Sequence, residues 1–531
     1  MDIVIRGGTV VDGTGSAGFR ADVGINEGKI LRVGPPTSLH GTRSIDAEGF
    51  IVAPGFIDIH THSDFTLLMN RRAESAARQG VTTSLVGACG RTCAPVKEKT
   101  KNLLIKDIIG YDPRLPITWG TFEEYLMELE KDDIAQNVAG LVGHDAVRIA
   151  AMGYDARKPT AKELEEMKQL VRESMEAGAV GLSTGLAYPP GAFADTGEIV
   201  EVCKVVARYG GIYWSHLRGS DGDFIAGVEE GIRIGKEAQL PVHMAHLCGF
   251  FGNSDTSRAL RMIEDARNRG LDVTCDLYPY LAGANPLAAF LPQSIFTRDW
   301  RDLVEEIRDP LKRKKLAEEV RRSEVGSFWL TRKETLEGIK LYDCRKNRTF
   351  KGKSLVEIAE LKNMDPIESV LEVLADEGQD MYSTGVIARW MDERDNFAVF
   401  KKAFHMVGSD GIALAPYGEL ASFKFHPRAY GTFPRVIGRY VREWGVLTLE
   451  EAVQKMTSLP AQRLGLRDRG VIREGMWADV VILAYERTLD RSTYEEPNLY
   501  PEGIEYVIIN GEIVIEKGEH TGRLPGKVLR H

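Results

Sequence analysis

The sequence predicts an α/β fold: a (β/α)8 barrel accompanied by a small β-sandwich built from both ends of the chain. Three observations lead there. First, the 531 residues exceed what one hydrophobic core usually supports, about 250–300 residues, so a large domain and a smaller one are expected. Second, the middle of the chain alternates apolar strand-like runs with amphipathic helical segments. Third, the first fifty residues and the last sixty or so carry only short strands punctuated by Gly and Asn.

In chain order, "DIVIRGGTVVDG", "ADVGINEGKILRVG" and "RSIDAEGFIVAPG" read as turn-separated strands. From Pro54 the rhythm changes to strand, helix, strand. The strands are "GFIDIHTH", "VTTSLVGACG", "VAGLVGHDAV", "AVGLSTGLA", "GIYWSHLRG", "PVHMAHLCG", "LDVTCDLYPY" and "HMVGSDG". Between them lie helical segments such as "TAKELEEMKQLVRESMEAG", with Leu164, Met167, Leu170, Val171 and Met175 on one face, and "DTSRALRMIEDARNRG". Eight such units predict a parallel, TIM-like barrel wrapped in helices. One gap, residues 281–380, is too long for a crossover and reads as an insertion that could cover the barrel mouth as a lid. After Gly465, "DVVILA", "EYVIING" and "EIVIEKG" return to short strands. The expected division is 1–53 and 465–531 for the β body, and 54–464 for the barrel with its insertion.

Composition narrows the function. The net charge is −9 and no long basic run occurs, so neither nucleic acid nor an anionic membrane is expected as a partner. No apolar stretch approaches the ~20 residues needed to span a bilayer. The N-terminus "MDIVIRGGTVVDGTG" lacks the basic start and apolar stretch of a signal peptide. Six scattered cysteines do not form a disulfide framework. A cytoplasmic protein with a small-molecule substrate is expected, and self-association is left open.

In such a barrel, functional groups sit at the C-terminal ends of the strands. Strand one delivers His60 and His62, strand two Cys89, strand five His216, strand six His246 and strand eight Asp410. Imidazole, thiolate and carboxylate are zinc ligands or catalytic bases. The whole chain has only eleven histidines, so four at the ends of barrel strands favour a metal centre over separate packing residues. Strand alternation puts Val242, Met244 and His246 on one face and leaves His243 facing the packing helices. The same alternation puts Asp58, His60 and His62 together, with Asp58 either orienting an imidazole or satisfying backbone groups. The glycines of "GACG" permit close approach at Cys89. Cys93 reads as structural. His144 reads either as an outer hydrogen-bond partner or as packing, and His40, His520 and His531 as surface residues.

These residues resemble a known family. "PGFIDIHTHSD" and "EGMWADVVIL" look like the opening and closing signatures of the amidohydrolase superfamily. "STGLAYPPGAFADTGEIV", "SHLRG", "DLYPYLAG", "GSDG", "HPRAYGTFPRVIGRYVRE", "MTSLPAQRLGLRDRG" and "TGRLPGKVLR" resemble the N-acyl-D-amino-acid deacylases, or D-aminoacylases. The resemblance implies zinc-dependent hydrolysis of the amide of an N-acyl-D-amino acid. It implies one tightly held zinc on Cys89, His216 and His246, and a weaker position at His60 and His62. It implies Asp410 as general base, and Tyr188, Tyr278 and Arg428 near the substrate. Two departures stand out: the family's G-N-C-G is "GACG" here, with Ala88, and Cys248 stands where a lysine is usual.

The competing expectation is a cyclic-amide hydrolase of the hydantoinase or dihydroorotase kind, or a dipeptidase of the same superfamily. Hydantoinase-like relatives carry a bridging lysine on strand four, and "AVGLSTGLAY" has none. A non-enzymatic barrel kept as a scaffold would not need to retain this complete set of ligands.

Overall fold

The computed structural model describes residues 1–219, 224–249, 255–292, 294–295 and 300–531. Residues 293 and 296–299 of the expected insertion lie outside the described residues.

Both chain ends enter one nine-stranded sheet. Ile3–Val10 pairs antiparallel with Phe19–Asn26 along one edge. On its other edge, its first half lies parallel to Arg43–Asp46 and its second half to Ile51–Pro54. The two ends of the chain are joined where Ile51–Pro54 pairs antiparallel with Val480–Leu483, Val52 opposite Ile482. Ile504–Ile509, Glu512–Glu516 and Glu519–His520 extend the same sheet. Alternation decides what is buried: Ile3, Ile5, Val23 and Ile25 from the N-terminal end meet Val480, Ile482 and Ile508 in one apolar core. The last residues leave this body for the barrel, where Val528 bridges Val138 in parallel and the Leu529 N–H donates to Val138 O at 2.7 Å.

The barrel strands are Phe56–Asp58, Val81–Val86, Asn137–Gly140 continued by Val142–Gly143, Gly181–Gly185, Ile212–His216, Val242–Met244, Val273–Leu277 and His405–Val407. All neighbouring pairs are parallel. The ring closes at its mouth: Thr61 bridges Gly411, the His62 N–H donates to Gly411 O at 2.8 Å and the Asp410 N–H to His60 O at 2.9 Å. This closure sets the first and last candidate ligands side by side. Ile57, Ile59, Leu85, Ala139, Leu141, Trp214 and Met406 fill the interior, as layered side chains do in such barrels. Helices cover the outside. Ala161–Glu176 is one of them, started by a Thr160/Glu163 capping box and burying Met167, Val171 and Met175.

The insertion forms its own body. Ala282–Pro286, Gly385–Arg389 and Ile339–Asp343 make an antiparallel sheet, so its last strand lies beyond the expected end near 380. Leu303, Ile307, Val320, Trp329, Ile358, Leu371 and Leu374 belong to its separate core. It reaches the barrel mouth where the Tyr342 ring meets that of Phe425 at 5.7 Å.

Candidate metal centre

Six side chains delivered by five different strands converge at the mouth. His62 Nε2 lies 3.0 Å and His60 Nε2 3.4 Å from Asp410 Oδ1. Cys89 Sγ lies 3.3 Å from His60 Nε2 and 3.6 Å from His246 Nε2. The His216 and His246 rings are 4.4 Å apart. All six residues lie at or just beyond strand ends, where the chain is released from the ladder. Cys89, His246 and Asp410 take left-handed backbone, with φ of 54°, 33° and 48°, a conformation that costs free energy for non-glycine residues and collects at functional sites. Next to Cys89 the glycine is obligatory: a Cβ on Gly90 would sit 2.7 Å from Gly185 N and 2.8 Å from Asp145 Oδ1.

The donor atoms fall into three sets, each within 4.8 Å of one another: His60, His62 and Cys89; Cys89, His216 and His246; His60, His246 and Asp410. Thiolate and imidazole together suit zinc better than hard cations such as magnesium or calcium. Cys89 belongs to two sets, so one thiolate can serve two adjacent ion positions. The electrostatics agree with a metal site. Burial pushes the Cys89 thiol up, but His60 and hydrogen bonds from His216 and His246 outweigh it and hold the thiol well below its ordinary value. Burial and the neighbouring His246 push His216 down, toward the neutral, ligating form.

One expectation about a strand face is corrected. His243 does not face the packing helices. Its ring stacks on Trp214 at 3.6 Å inside the barrel, its Nδ1 lies 2.7 Å from Thr274 Oγ1 and its Nε2 2.9 Å from Asp276 Oδ2. Val242 and Met244 are the outward pair, packed below the helix Phe224–Ala238: a Cβ on Gly235 would meet Val242, and one on Gly231 would meet Met244. His246 reaches the centre because the strand ends at Met244 and the chain then turns left-handed, so its parity with Met244 carries no information. Asp58 takes the second of its two expected roles and satisfies backbone groups. Its carboxylate accepts the backbone N–H groups of Ser409 (2.9 Å) and His60 (3.3 Å).

Asp276 is the residue that sequence reasoning missed. It is fully buried. Its carboxylate lies 3.0 Å from His60 Nδ1 and 2.9 Å from His243 Nε2, and accepts the His246 backbone N–H at 2.9 Å. It thereby ties strands one, six and seven together beneath the ligands. The available signal was parity on strand seven, where Thr274, Asp276 and Tyr278 alternate with the outward Cys275 and Leu277.

The expected substrate residues border the cluster. The Tyr188 hydroxyl donates to Cys89 O at 2.7 Å, and its ring lies 5.0 Å from that of His216. The Arg428 guanidinium lies 4.7 Å from the Tyr278 ring, with Nη1 2.9 Å from Asp410 Oδ2. His144 instead pairs with Glu198 at 2.9 Å, in a buried group with Arg148. Cys93 is buried, and the backbone carbonyl beside its thiol accepts the Trp119 indole N–H at 2.8 Å. Cys248 is buried beside Gly249 and Asn396, and Ala88 packs in the barrel interior.

A closed parallel barrel with thiolate, imidazole and carboxylate donors at its mouth defines a metal-dependent barrel hydrolase. The Amidohydrolase family model matches residues 43–201 and 418–515. The N-acyl-D-glutamate deacylase of Alcaligenes xylosoxydans xylosoxydans is 35% identical over 533 residues, covering 100% of this chain and 96% of the relative. The chain belongs to the D-aminoacylase family of amidohydrolases. Its structure is similar to that of N-acyl-D-glutamate deacylase from Bordetella bronchiseptica, complexed with zinc and a phosphonate mimic of the tetrahedral intermediate, with a TM-score of 0.82, 32% identity and full coverage of both chains. A structure of D-aminoacylase, described for a binuclear metal centre with one-metal activation and second-metal attenuation, also gives a TM-score of 0.82 at 33% identity with full coverage of both.

Proposed function

We propose that this chain is a zinc-dependent hydrolase that removes the acyl group from N-acyl-D-amino acids, giving a carboxylate and the free D-amino acid. The observation that carries this reading is the meeting of Cys89, His216 and His246 in one ligand set, with Asp410 in an adjoining set. Cys89, His216 and His246 would hold the first zinc, and His60 and His62 with Cys89 a second, weaker one. Bound zinc acidifies water and polarises the amide carbonyl.

The chain's own groups do the rest. Asp410 takes a proton from the attacking water and delivers it to the amide nitrogen, so that the amine leaves protonated. Arg428 and Tyr278 hold the substrate α-carboxylate, since a guanidinium matches a carboxylate's two oxygens. Tyr188 lines the substrate and fixes the turn that carries Cys89. Asp276 and its bonds keep His60 and His246 aimed. The fourth strand, Gly181–Gly185, contains no lysine, which supports linear amides over the hydantoinase-like alternative.

The same reading assigns 54–464 to the catalytic barrel with its insertion, and 1–53 with 465–531 to the β body. It also places the enzyme in the cytoplasm, acting on a small molecule without nucleic acid or membrane. No helix among the described residues is long and apolar enough to cross a membrane.

The test is amine release from paired N-acetyl-D- and N-acetyl-L-amino acids bearing Met, Leu, Phe, Glu and Asp side chains, before and after zinc is restored to stripped protein. D-selective release that returns with zinc and falls by roughly 10³-fold in Asp410→Ala is expected, within the range of general acid–base catalysis. Silence on every linear amide, with turnover of a cyclic amide, would overturn it.

A further inference from the structure

Beside His62 lies a small cavity of about 10 Å³, bordered by His62, Asp64, Arg91, Thr92 and Ile108 among others. Three of these residues carry a buried polar atom without a hydrogen-bond partner: His62 Nδ1, Asp64 Oδ1 and Arg91 Nε. Such atoms are costly to leave unsatisfied. The volume is that of a single water, which needs ~10–15 Å³.

The donor and acceptor balance identifies the ligand. His62 turns Nε2 to the ligand cluster beside Asp410; when Nε2 gives its lone pair to a metal there, Nδ1 carries the proton and donates. Arg91 Nε–H also donates, and Asp64 Oδ1 accepts. Water takes two such donors and gives a proton to the carboxylate, the three bonds usual for a buried water. A cation would face two N–H groups. An anion would face Asp64 and also Asp107, whose Oδ1 is 3.3 Å from Arg91 Nε.

We propose that this cavity binds one water molecule, which joins His62 to Asp64 and Arg91 and makes Asp64 the positioning residue for the weaker metal position. The assignment rests on the reading of His62 as a ligand. Ligating imidazoles need a partner on the second ring nitrogen. His60 has Asp276, and His62 obtains its partner through this water. Arg91 stacks at 4.3 Å on Tyr188, which holds Cys89 O.

Zinc affinities of the full-length protein, measured against a competing chelator, test this in the wild type, Asp64→Asn and Asp64→Ala. Asp64→Ala is expected to weaken the second equivalent by about 10–100-fold and to leave the first within about threefold. Asp64→Asn keeps an acceptor oxygen and should recover most of the loss. A high-resolution crystal structure of the zinc-loaded protein should show one ordered water within hydrogen-bond reach of His62 Nδ1 and Asp64 Oδ1. A dry or ion-filled cavity, an unchanged second equivalent in Asp64→Ala, or equal loss of both equivalents would overturn the proposal. Failure of the underlying reading looks different: the wild-type protein would bind no second zinc at all.

Discussion

Arg428 Nη1 lies 2.9 Å from Asp410 Oδ2, with the arginine only 2% exposed. One guanidinium thus faces both the proposed base and the proposed place of the substrate carboxylate. It is held firmly. Tyr278 and Phe425 flank it at 4.7 and 5.3 Å. Its backbone N–H donates to His426 Nδ1 at 3.0 Å, and His426 Nε2 lies 2.9 Å from Ala282 O at the root of the insertion. Burial opposes ionisation of Asp410, but Arg428, then His60 and His62, hold its carboxyl well below the ordinary range.

Arg428→Met keeps the length and the aromatic packing but removes the charge. Truncating one partner of a buried charge pair costs about 2–5 kcal/mol, and about 2.7 kcal/mol is a hundredfold. The expected result is a fall in kcat/KM for N-acyl-D-amino acids of roughly 100-fold or more, with KM raised. Arg428→Lys should recover only part of this, because a point charge cannot offer the planar fork. Steady-state kinetics on all three proteins decide it, and an unchanged KM in Arg428→Met would remove the arginine from substrate binding.

Asp276→Ala should act through the metal. The substitution frees His60 and His243 and removes the acceptor of the His246 N–H. Loss of such an outer partner typically costs 10–100-fold in metal affinity, and that is the expected drop in zinc affinity. Asp276→Asn, which preserves shape and one acceptor oxygen, should lose less. Zinc bound after dialysis, with circular dichroism as a folding check, separates the cases. Full zinc retention in Asp276→Ala would reduce this carboxylate to packing.

These residues also mark what the chain alone can tell. The convergence of His60, His62, Cys89, His216, His246 and Asp410 at the barrel mouth was legible because residues at the C-terminal strand ends of such a barrel share one mouth. Asp276 was not, because its partners come from strands one and six, and their closeness depends on barrel closure through Thr61 and Gly411. The face of His243 was misread because its strand is three residues long. Alternation cannot be carried past the left-handed turn at His246. The insertion was legible as a break in rhythm, but its third strand, Gly385–Arg389, was not, since it pairs with the distant Ala282–Pro286 and Ile339–Asp343.

Lys455 offers a test of burial that is independent of the metal. It is 5% exposed, and its ammonium donates to the backbone carbonyls of Lys402 and His405. Burial pushes its pKa down to about 8, against about 10.4 in an unfolded chain. Between these values the unfolded chain holds a proton that the folded chain has released. Stability from this group therefore rises as pH climbs from about 8 to about 10.4, and below pH 8 the cost of the buried charge is present in full. That cost is about 3 kcal/mol at most, at 1.36 kcal/mol per pH unit. Lys455→Met gives up two hydrogen bonds of about 1 kcal/mol each, so a net gain of about 1 kcal/mol at pH 7 is expected. As pH rises to 10 the gain should shrink and then reverse, because the neutral amine no longer penalises the wild type. Urea midpoints for both proteins at pH 7, 8, 9 and 10 measure this. A difference that stays constant across the series would mean that Lys455 remains charged in its buried site.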